Sequence, residues 1–284
     1  MKLLSWNIQW CRGVDGRVDP VRIAQTIREL ADPDVICLQE VARGFDTLAG
    51  SLGEDQFALL AAEFAGYTAI EGIGVDVPGE PGQPRRQFGN LLLSRLPLRQ
   101  ARRHLLPWPA NADHVDMQRV AIEAVIETPE QGDLRVTTTH LSAYSAEQRL
   151  AQMEGLRRLH GDAQDHRHPP ARADRSHGPF HWRPWPSVGI VVGDFNCEPG
   201  SPPHERMLAP FDDGTPALCD AWQAAHPGRP HALTVGLYDT AQWARPMACD
   251  FVFVSSDLAP RIRACEVDPT SAASDHQAVV LTLG

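Results

Sequence analysis

Polar side chains with the chemistry of a catalytic site lie beside apolar runs at four places in the chain. The runs are LLSWNIQW at 3–10, DVICLQE at 34–40, IVVGDFN at 190–196 and SDHQAVVLTL at 274–283. Runs this apolar predict buried strands, whose ends place polar residues at the rim of a sheet. The residues placed in this way are Asn7, Glu40, Asp194, Asn196, Asp275 and His276. The pattern predicts one polar crevice assembled from the whole chain.

Carboxylate and amide oxygens dominate this set. Glu40, Asp194 and Asp275 supply the carboxylates, and Asn7 and Asn196 supply the amides. Such hard oxygen ligands suit Mg²⁺ or Mn²⁺, whereas zinc would call for more histidine or cysteine. Because Mg²⁺ commonly bridges carboxylates to phosphate oxygens, the set points to phosphate chemistry.

Two further residues complete a hydrolytic set. Asp250 interrupts the apolar run ACDFVFV, where an unpaired charge would cost several kcal/mol, so it needs a histidine or a metal as its partner. His140 ends the run RVTTTHL, and His276 begins the final one. Two histidines beside several acids can supply the proton acceptor, the proton donor and the cation site that phosphodiester hydrolysis requires.

Strands and helices must hold these residues in place. Strand-like runs occur at 2–8, 34–39, 67–72, 89–94, 118–127, 134–141, 188–193, 249–254 and 276–283. Apolar periodicity and capping signals predict helices over 19–31, 55–65, 145–161 and 216–225. Several consecutive strands within 88–141 favour an α/β sandwich over a simple doubly wound sheet.

Two aperiodic segments rich in proline separate some of these elements. Residues 162–187 carry Pro, Arg and His and predict a long, mobile surface loop, and residues 74–87 predict a second loop. Five histidines lie in or near the longer loop, but their spacing fits no familiar metal-ligand pattern, so the loop interpretation is preferred to a second metal site. Because matching motifs occur on both sides of each loop, we expect a single domain over 1–284.

Composition narrows the class of protein. The 284 residues include 36 acidic and 26 basic ones, for a net charge of −10, and show no basic stripe, which disfavours tight binding to nucleic acid without excluding weaker binding. No apolar run approaches the length of a membrane span, and the first one is too short for a signal peptide. Six scattered cysteines without a C-x-x-C pattern indicate a reducing compartment. We therefore expect a cytoplasmic protein, and a monomer.

Seven short motifs in order resemble the endonuclease/exonuclease/phosphatase superfamily. They are SWN, LQE, GN-x-x-LSR, THL, GDFN, CDFVFVS and SDH, and they extend from Leu3 to Leu283. The resemblance implies a four-layer α/β/β/α sandwich, in which two mixed β-sheets pack face to face with helices outside. It also implies a phosphoesterase site that depends on Mg²⁺ or Mn²⁺ and acts on a phosphate ester.

The resemblance assigns a role to each residue at the metal and water sites. Glu40 is similar to the principal metal ligand of the family, with Asn7 and Asp275 assisting it. Asp194 and Asn196 are similar to the pair that orients or deprotonates the attacking water.

The remaining roles concern the phosphate. Asp250 resembles the partner of His276, which would contact the scissile phosphate as base or charge stabiliser. His140 lies where the family has a phosphate-binding or acid residue. Asn90 is similar to a position that supports the phosphate site. Arg119 either supports the phosphate pocket as well or is a plain arginine at a strand edge.

Departures from the family pattern narrow the expectation. Gln9 replaces an acidic residue of the abasic-site endonucleases, and His140 replaces their tyrosine. The remaining alternatives are a nuclease and a small-molecule or phospholipid phosphodiesterase or phosphatase, of the inositol phosphate or sphingomyelin type. A non-catalytic binding module would have lost metal or histidine positions, and this chain retains them.

Overall fold

Two mixed sheets of six strands form the centre of the computed structural model, which describes residues 1–172 and 177–284. The strands are β1 (Lys2–Asn7), β2 (Val35–Arg43), β3 (Thr68–Val77), β4 (Arg86–Ser94), β5 (Leu98–Leu105), β6 (Val120–Thr128), β7 (Gly132–His140), β8 (Gly189–Asp194), β9 (Leu218–Asp220), β10 (Asp250–Ser255), β11 (Ile262–Val267) and β12 (Val279–Leu283). The helices are α1 (Pro20–Leu30), α2 (Gln56–Glu63), α3 (Ala146–Asp165), α4 (Pro202–Leu208) and α5 (Ala221–Ala225).

The strand order brings both ends of the chain into one sheet. The first sheet has the order β11-β12-β1-β2-β4-β3, and the second has the order β5-β6-β7-β8-β10-β9. Each sheet contains one parallel pair, β1 with β2 and β7 with β8. The final strand pairs antiparallel with the first, so the two terminal motifs lie beside each other.

Three apolar clusters define four layers. Side chains such as Leu3, Leu92 and Val192 fill the space between the sheets. Ile23 of α1 and Phe57 of α2 pack on the outer face of the first sheet. A third cluster joins α3 and α4 to the outer face of the second sheet. Because each strand at the centre is covered on both faces, its sequence is an unbroken apolar run, and the predicted four-layer sandwich is confirmed.

Local capping signals start the helices where the sequence predicts. Asp19 accepts a hydrogen bond from the backbone N of Arg22 at 3.0 Å and caps α1, and Ser145 accepts one from Gln148 N at 3.2 Å and caps α3. Two predicted boundaries are wrong. The third helix continues to Asp165, and the predicted helix over 216–225 is strand β9 followed by one short helix, since Asp220 caps the chain only at that point.

The strands that the sequence misses are β5, β9 and β11. All three are edge strands of their sheets. An edge strand is covered on fewer sides, so β5 (LRQARRHL) is half exposed and lacks the apolar run that marks a central strand. The predicted final strand also begins later, at Val279, because His276 forms only an isolated bridge with Val235.

Both predicted loops are shorter than expected. β3 and β4 extend into the loop predicted at 74–87, leaving residues 78–85 between them. In the loop predicted at 162–187, α3 takes the first four residues, and residues 173–176 lie outside the described part of the chain. Its last part is anchored, because buried Trp185 donates to Glu123 Oε1 at 3.1 Å. The mobility of the remainder stays a prediction.

The cysteines are unpaired, and the described helices lack the features of membrane spans. All six cysteines are free thiols. Among the described residues, every helix is too short or too polar to cross a bilayer.

Candidate active site

Three adjacent strands bring polar residues to one level at an end of the second sheet. β7 runs parallel to β8 with His140 opposite Asp194, and β10 runs antiparallel to β8 with Asp250 opposite Asp194. All three side chains are buried. Because residues opposite each other in a ladder are close neighbours, the strand register by itself places His140, Asp194 and Asp250 side by side.

Asn7 joins this row of residues to the first sheet. Its Nδ2 donates to Glu40 Oε1 at 3.1 Å and to Asp194 Oδ2 at 3.0 Å, and its Oδ1 accepts a bond from Gln9 N at 3.1 Å. The side chain is almost fully buried. One amide therefore fixes the separation of two carboxylates that come from different sheets.

His276 lies between two of the acids. Its Nδ1 donates to Asp250 Oδ2 at 2.9 Å, and its Nε2 lies 3.7 Å from Asp194 Oδ2. Burial alone would lower the pKa of His276, but the charges of Asp250 and Asp194 outweigh it and raise that pKa well above its ordinary value. The imidazole is therefore a cation, with Nε2–H available beside Asp194.

His140, in contrast to His276, is a neutral imidazole. Its Nε2 lies 3.5 Å from Asp194 Oδ2, and its Nδ1 lies 3.9 Å from Glu40 Oε1. Burial, followed by the positive charges of Arg119 and His276, lowers the pKa of His140 well below its ordinary value. The site thus contains one charged and one neutral imidazole.

Arg119 is a buried cation with unused hydrogen-bond donors. Its Nη2 donates to Asp116 Oδ1 at 3.0 Å. Its Nε and Nη1 are buried and have no hydrogen-bond partner among the described residues. Since Arg119 lines the same cavity as His140, these two nitrogens are candidate donors to an anionic ligand bound there.

The carboxylates of the site carry an excess of negative charge. Burial, followed by the charge of Asp275, raises the pKa of Glu40 to about 7. Burial also raises the pKa of Asp194 to about 6, against the opposing charge of His276. Buried carboxylates that repel one another are stabilised by a divalent cation, so the donor set fits Mg²⁺ or Mn²⁺.

Asp275 is held by three donors to one of its oxygens. Gln9 Nε2 at 3.1 Å, Gln242 Nε2 at 3.0 Å and Trp243 Nε1 at 3.0 Å all donate to Asp275 Oδ2. Its Oδ1 accepts a longer bond from Ser274 Oγ at 3.3 Å. Oδ1 is therefore the oxygen with spare capacity for a cation.

Sequence reasoning did not predict that Gln242 and Trp243 belong to the site. Both lie in an irregular segment without a strand or helix pattern. The segment is folded against the site because Val235 bridges both Met247 and His276. Gln9, noted only as a departure from the family pattern, is the residue that connects this segment to the first strand, since it also donates to Gln242 Oε1 at 2.9 Å.

Strained backbone is concentrated at the site. Among the described residues, the non-glycine residues with positive φ are Gln9 (44°), Trp10 (43°), Cys11 (61°), Glu40 (59°) and Asn196 (49°). Left-handed backbone costs a residue with a side chain about 1–2 kcal/mol. Four of these five residues line one cavity, which is the distribution expected where strain serves function.

Asn196 and Asn90 support the site in different ways. Asn196 N donates to Asp194 Oδ1 at 2.9 Å, and its Nδ2 donates to Leu141 O at 3.0 Å, so it ties two strand ends together at the cavity wall. Asn90 does not line the cavity, and its Nδ2 donates to Val120 O at 2.9 Å and so connects the two sheets.

The cavity has a volume of about 500 Å³. Seven of the ten predicted site residues line it, namely Glu40, Arg119, His140, Asp194, Asn196, Asp275 and His276. The other three lie behind them. Asn7 and Asp250 bond directly to residues of the lining, and Asn90 bonds to the backbone of β6.

Two clusters of three potential metal ligands among the described residues have their ligand atoms close together. Both are less suited to a hard cation than the carboxylates described above. Asp194, Cys249 and His276 lie close together, but burial raises the pKa of the Cys249 thiol well above its ordinary value, and a neutral thiol does not bind Mg²⁺. The thiol donates to Asp250 instead.

The second cluster lies outside the cavity and consists of His204, Asp220 and His231. Both imidazoles contact Asp220 Oδ2 through Nε2, at 3.0 Å and 2.7 Å. Gly200 N donates to His204 Nδ1 at 3.2 Å, so the proton of that ring is on Nε2, where a metal would need a lone pair. Although burial opposes it, these hydrogen bonds lower the pKa of Asp220 to about 2. Hydrogen bonding explains the cluster.

A sequence profile of the Endonuclease/Exonuclease/phosphatase family matches residues 4–276. No curated protein matches the chain.

Solved structures share the fold over the whole chain. An endonuclease/exonuclease/phosphatase from Beutenbergia cavernae is 26% identical, with a TM-score of 0.66, and the match covers 100% of this chain and 72% of that one. A mannosyl-6-phosphatase from Bacteroides thetaiotaomicron is 15% identical, with a TM-score of 0.61 and coverage of 100% and 99%. A 3′ phosphatase from Neisseria, bound to a product DNA hairpin, is 20% identical, with a TM-score of 0.59 and coverage of 100% and 99%.

Proposed function

Because the chain belongs to the endonuclease/exonuclease/phosphatase family, whose members hydrolyse phosphoester bonds, we propose that it is a phosphoesterase dependent on Mg²⁺ or Mn²⁺. The reaction is hydrolysis of a phosphodiester or phosphomonoester by in-line attack of an activated water. The observation that carries the proposal is the position of His276, whose Nδ1 bonds to Asp250 Oδ2 at 2.9 Å while its Nε2 lies 3.7 Å from Asp194 Oδ2. In this arrangement Asp194 provides a base, and His276 provides a positive charge beside it.

Glu40 is the principal metal ligand in this proposal, and Asp275 and Asn7 assist it. Asn7 assists by holding Glu40 through Nδ2, since its Oδ1 already accepts the bond from Gln9 N. Glu40 is supported by its oxygen chemistry and by the burial that, together with the charge of Asp275, raises its pKa, and Asp275 is supported by the spare capacity of Oδ1. When bound, the metal neutralises charge on the phosphoryl group and lowers the pKa of water.

Asp194 and Asn196 are the pair that handles the attacking water, with Asp194 as the group that accepts its proton. A pKa of about 6 leaves Asp194 ionised at neutral pH but basic enough to accept a proton. The backbone N–H of Asn196 holds Asp194 Oδ1, which leaves Oδ2 to face the histidines. His276 then stabilises the charge that develops on the phosphoryl oxygens.

His140, Arg119 and Asn90 hold the phosphate. A neutral His140 favours hydrogen bonding to a phosphoryl oxygen over donation of a proton to the leaving group. Arg119 contributes Nε and Nη1, the two nitrogens that have no partner within the described residues. Asn90 acts from behind, by fixing β4 to β6.

The setting of the enzyme also belongs to the proposal. Six free thiols favour a reducing compartment such as the cytoplasm. We expect residues 1–284 to act as one domain and as a monomer, with nucleic acid as a weakly bound substrate at most.

A small-molecule phosphatase or phosphodiesterase is the second candidate beside a nuclease. The observation that favours it is the charge of the cavity, where Arg119 is the sole arginine or lysine among the described lining residues. A non-catalytic role is disfavoured because every predicted metal and histidine position is occupied by a suitable residue.

A substrate panel tests the proposal. Plasmid DNA, single-stranded DNA, RNA, a bis-aryl phosphodiester, inositol phosphates and sphingomyelin are each incubated with Mg²⁺ or Mn²⁺. We expect hydrolysis of at least one phosphate ester, and its loss in Glu40→Ala and in Asp194→Ala. Purified protein that binds neither metal and hydrolyses no member of the panel would contradict the proposal.

A further inference from the structure

The charge of the cavity favours a ligand with a single phosphate over one with several. At about 500 Å³ it has the size of a small-molecule site. Its carboxylates repel additional anionic groups, and among the described lining residues Arg119 is the sole side chain with a permanent positive charge. A polyphosphorylated ligand or a long stretch of duplex DNA would require several such cations.

Aromatic side chains contribute to both walls of the cavity. Trp10 follows β1 of the first sheet, and Tyr144 follows β7 of the second. Phe88 and Met117 add apolar surface on the same two sides. Aromatic rings beside a phosphate site are the usual means of binding a planar ring, because stacking buries apolar area with little loss of side-chain freedom.

Trp10 is fixed in its wall by the backbone. It is the middle residue of three consecutive left-handed residues, an unusual conformation for a bulky side chain. Its indole Nε1 donates to Ala49 O at 3.0 Å, and its carbonyl accepts a bond from Gln56 Nε2 at 2.8 Å. The strained turn is thus held in place from two sides, which is expected if the position of this ring matters.

Tyr144 has a fixed backbone and an exposed ring. Its neighbours are anchored, because Ser142 Oγ donates to Asp116 and Ser145 caps α3. The side chain itself is 68% exposed at the mouth of the cavity. A large aromatic surface in this position is available for a ligand.

From these observations we propose that Trp10 and Tyr144 determine specificity by holding a planar aromatic group beside the scissile phosphate. The substrate is then a small ester with one phosphate next to such a group, as in a nucleoside phosphate or an aryl phosphate. This inference rests on the proposed function of the same cavity.

The test compares four ligands of the Mg²⁺-loaded protein, namely adenosine monophosphate, phenyl phosphate, ribose 5-phosphate and inositol trisphosphate. For a ligand that the enzyme hydrolyses, the KM for phosphate release is measured. For a ligand that it does not hydrolyse, the inhibition constant is measured with a panel substrate that the enzyme does hydrolyse. We expect at least one aromatic ligand to bind about fivefold or more tightly than ribose 5-phosphate, as stacking of one ring provides. Tighter binding of adenosine monophosphate alone would show that the site selects a nucleobase. Tighter binding of both aromatic ligands would show that it accepts any planar ring.

Two variants assign the effect to residues. Trp10→Ala and Tyr144→Ala should each weaken binding of the aromatic ligand more than binding of ribose 5-phosphate, and so reduce the preference between them. Phe180→Ala removes another exposed aromatic ring, which does not line the cavity. This variant should change neither the binding of the aromatic ligand nor that of ribose 5-phosphate. Because Tyr144 is exposed, its variant keeps the test valid if Trp10→Ala fails to fold.

Three results would overturn the inference. They are equal binding of aromatic ligands and ribose 5-phosphate, tighter binding of inositol trisphosphate, or equal loss for all ligands in Tyr144→Ala. If ribose 5-phosphate still binds in these cases, the phosphoesterase proposal survives. If no phosphate ester binds or is hydrolysed, both proposals fail together.

Discussion

His276 and Asp250 form a buried ion pair in which Nδ1 donates to Oδ2 at 2.9 Å, and the second nitrogen of the same imidazole lies 3.7 Å from Asp194. The pair fixes the orientation of the ring and keeps it charged. An oriented cation of this kind can act on a phosphoryl oxygen without further reorganisation.

Replacement of Asp250 by asparagine tests this pairing. The side-chain amide oxygen of Asp250→Asn can still accept the Nδ1–H bond, but the negative charge is gone, so the pKa of His276 should fall. We expect kcat on a hydrolysed substrate to fall by roughly 10²–10⁴-fold, the usual contribution of a positioned acid or base. NMR titration of the imidazole and steady-state kinetics measure the two effects. Asp212→Asn, at an exposed position, should change neither, and an unaltered His276 pKa in Asp250→Asn would refute the pairing.

Glu40→Gln should separate metal binding from folding. Because the pKa of Glu40 is raised to about 7, a neutral amide costs the metal-free protein little, and its melting temperature should not fall. Added Mg²⁺ or Mn²⁺ should stabilise the wild type by about 2.7 kcal/mol at 100 times the Kd. Glu40→Gln should lack this increase in thermal melts, whereas exposed Glu130→Gln retains it. Equal stabilisation of Glu40→Gln would remove Glu40 from the metal site.

Trp10 should reverse the usual stability order of alanine and glycine. At a φ of 43°, alanine has the left-handed penalty and glycine does not, so Trp10→Gly should be more stable than Trp10→Ala by about 1 kcal/mol. At Leu59, within helix α2, the order should be the opposite by about 1 kcal/mol. Urea unfolding of the four variants measures both differences. A less stable glycine variant at position 10 would show that the turn is not left-handed in solution.

His160 should make the fold less stable in mild acid. Burial, followed by the charge of Arg135, lowers the pKa of His160 to about 4, while the unfolded chain has the ordinary value of about 6.5. Between these pH values the unfolded state binds the additional proton, so stability falls as pH decreases from 6.5 to 4, by on the order of 3 kcal/mol.

His160→Gln removes this titration. Its free energy of unfolding should therefore change less over the same interval than that of the wild type, even though the substitution lowers stability at neutral pH. The same comparison at exposed His168 should show no difference in slope. Identical slopes for the wild type and His160→Gln would contradict the expected proton uptake.

Much of the candidate site could be predicted from the sequence because its residues end or begin central strands. Asn7, Asp194 and Asp250 lie at the ends of β1, β8 and β10, whose apolar runs are unmistakable. Edge strands such as β5 escaped prediction because one open side leaves them polar. The short helix α5 was overextended because Asp220 starts it later than the periodicity indicates.

Other features of the site have no local signal. Trp243 donates to Asp275 across 32 residues from an irregular segment, and nothing in its neighbourhood marks it as part of the site. The left-handed turn at Trp10 contains no glycine, so the residue types give no indication of it.

The apolar runs alone predict the central strands and the chemical types available at the rim of the sheets, because burial on both faces requires unbroken apolar runs, and polar residues then remain only at their ends. The four layers are predicted from the resemblance of the motifs to the family. Three other properties arise only in the folded protein, namely which imidazole is charged, which oxygen of Asp275 is spare, and that Arg119 retains donors without a partner among the described residues. These properties depend on contacts such as that between Asn7 and Asp194, 187 residues apart, and on burial, which exist only once the chain has folded.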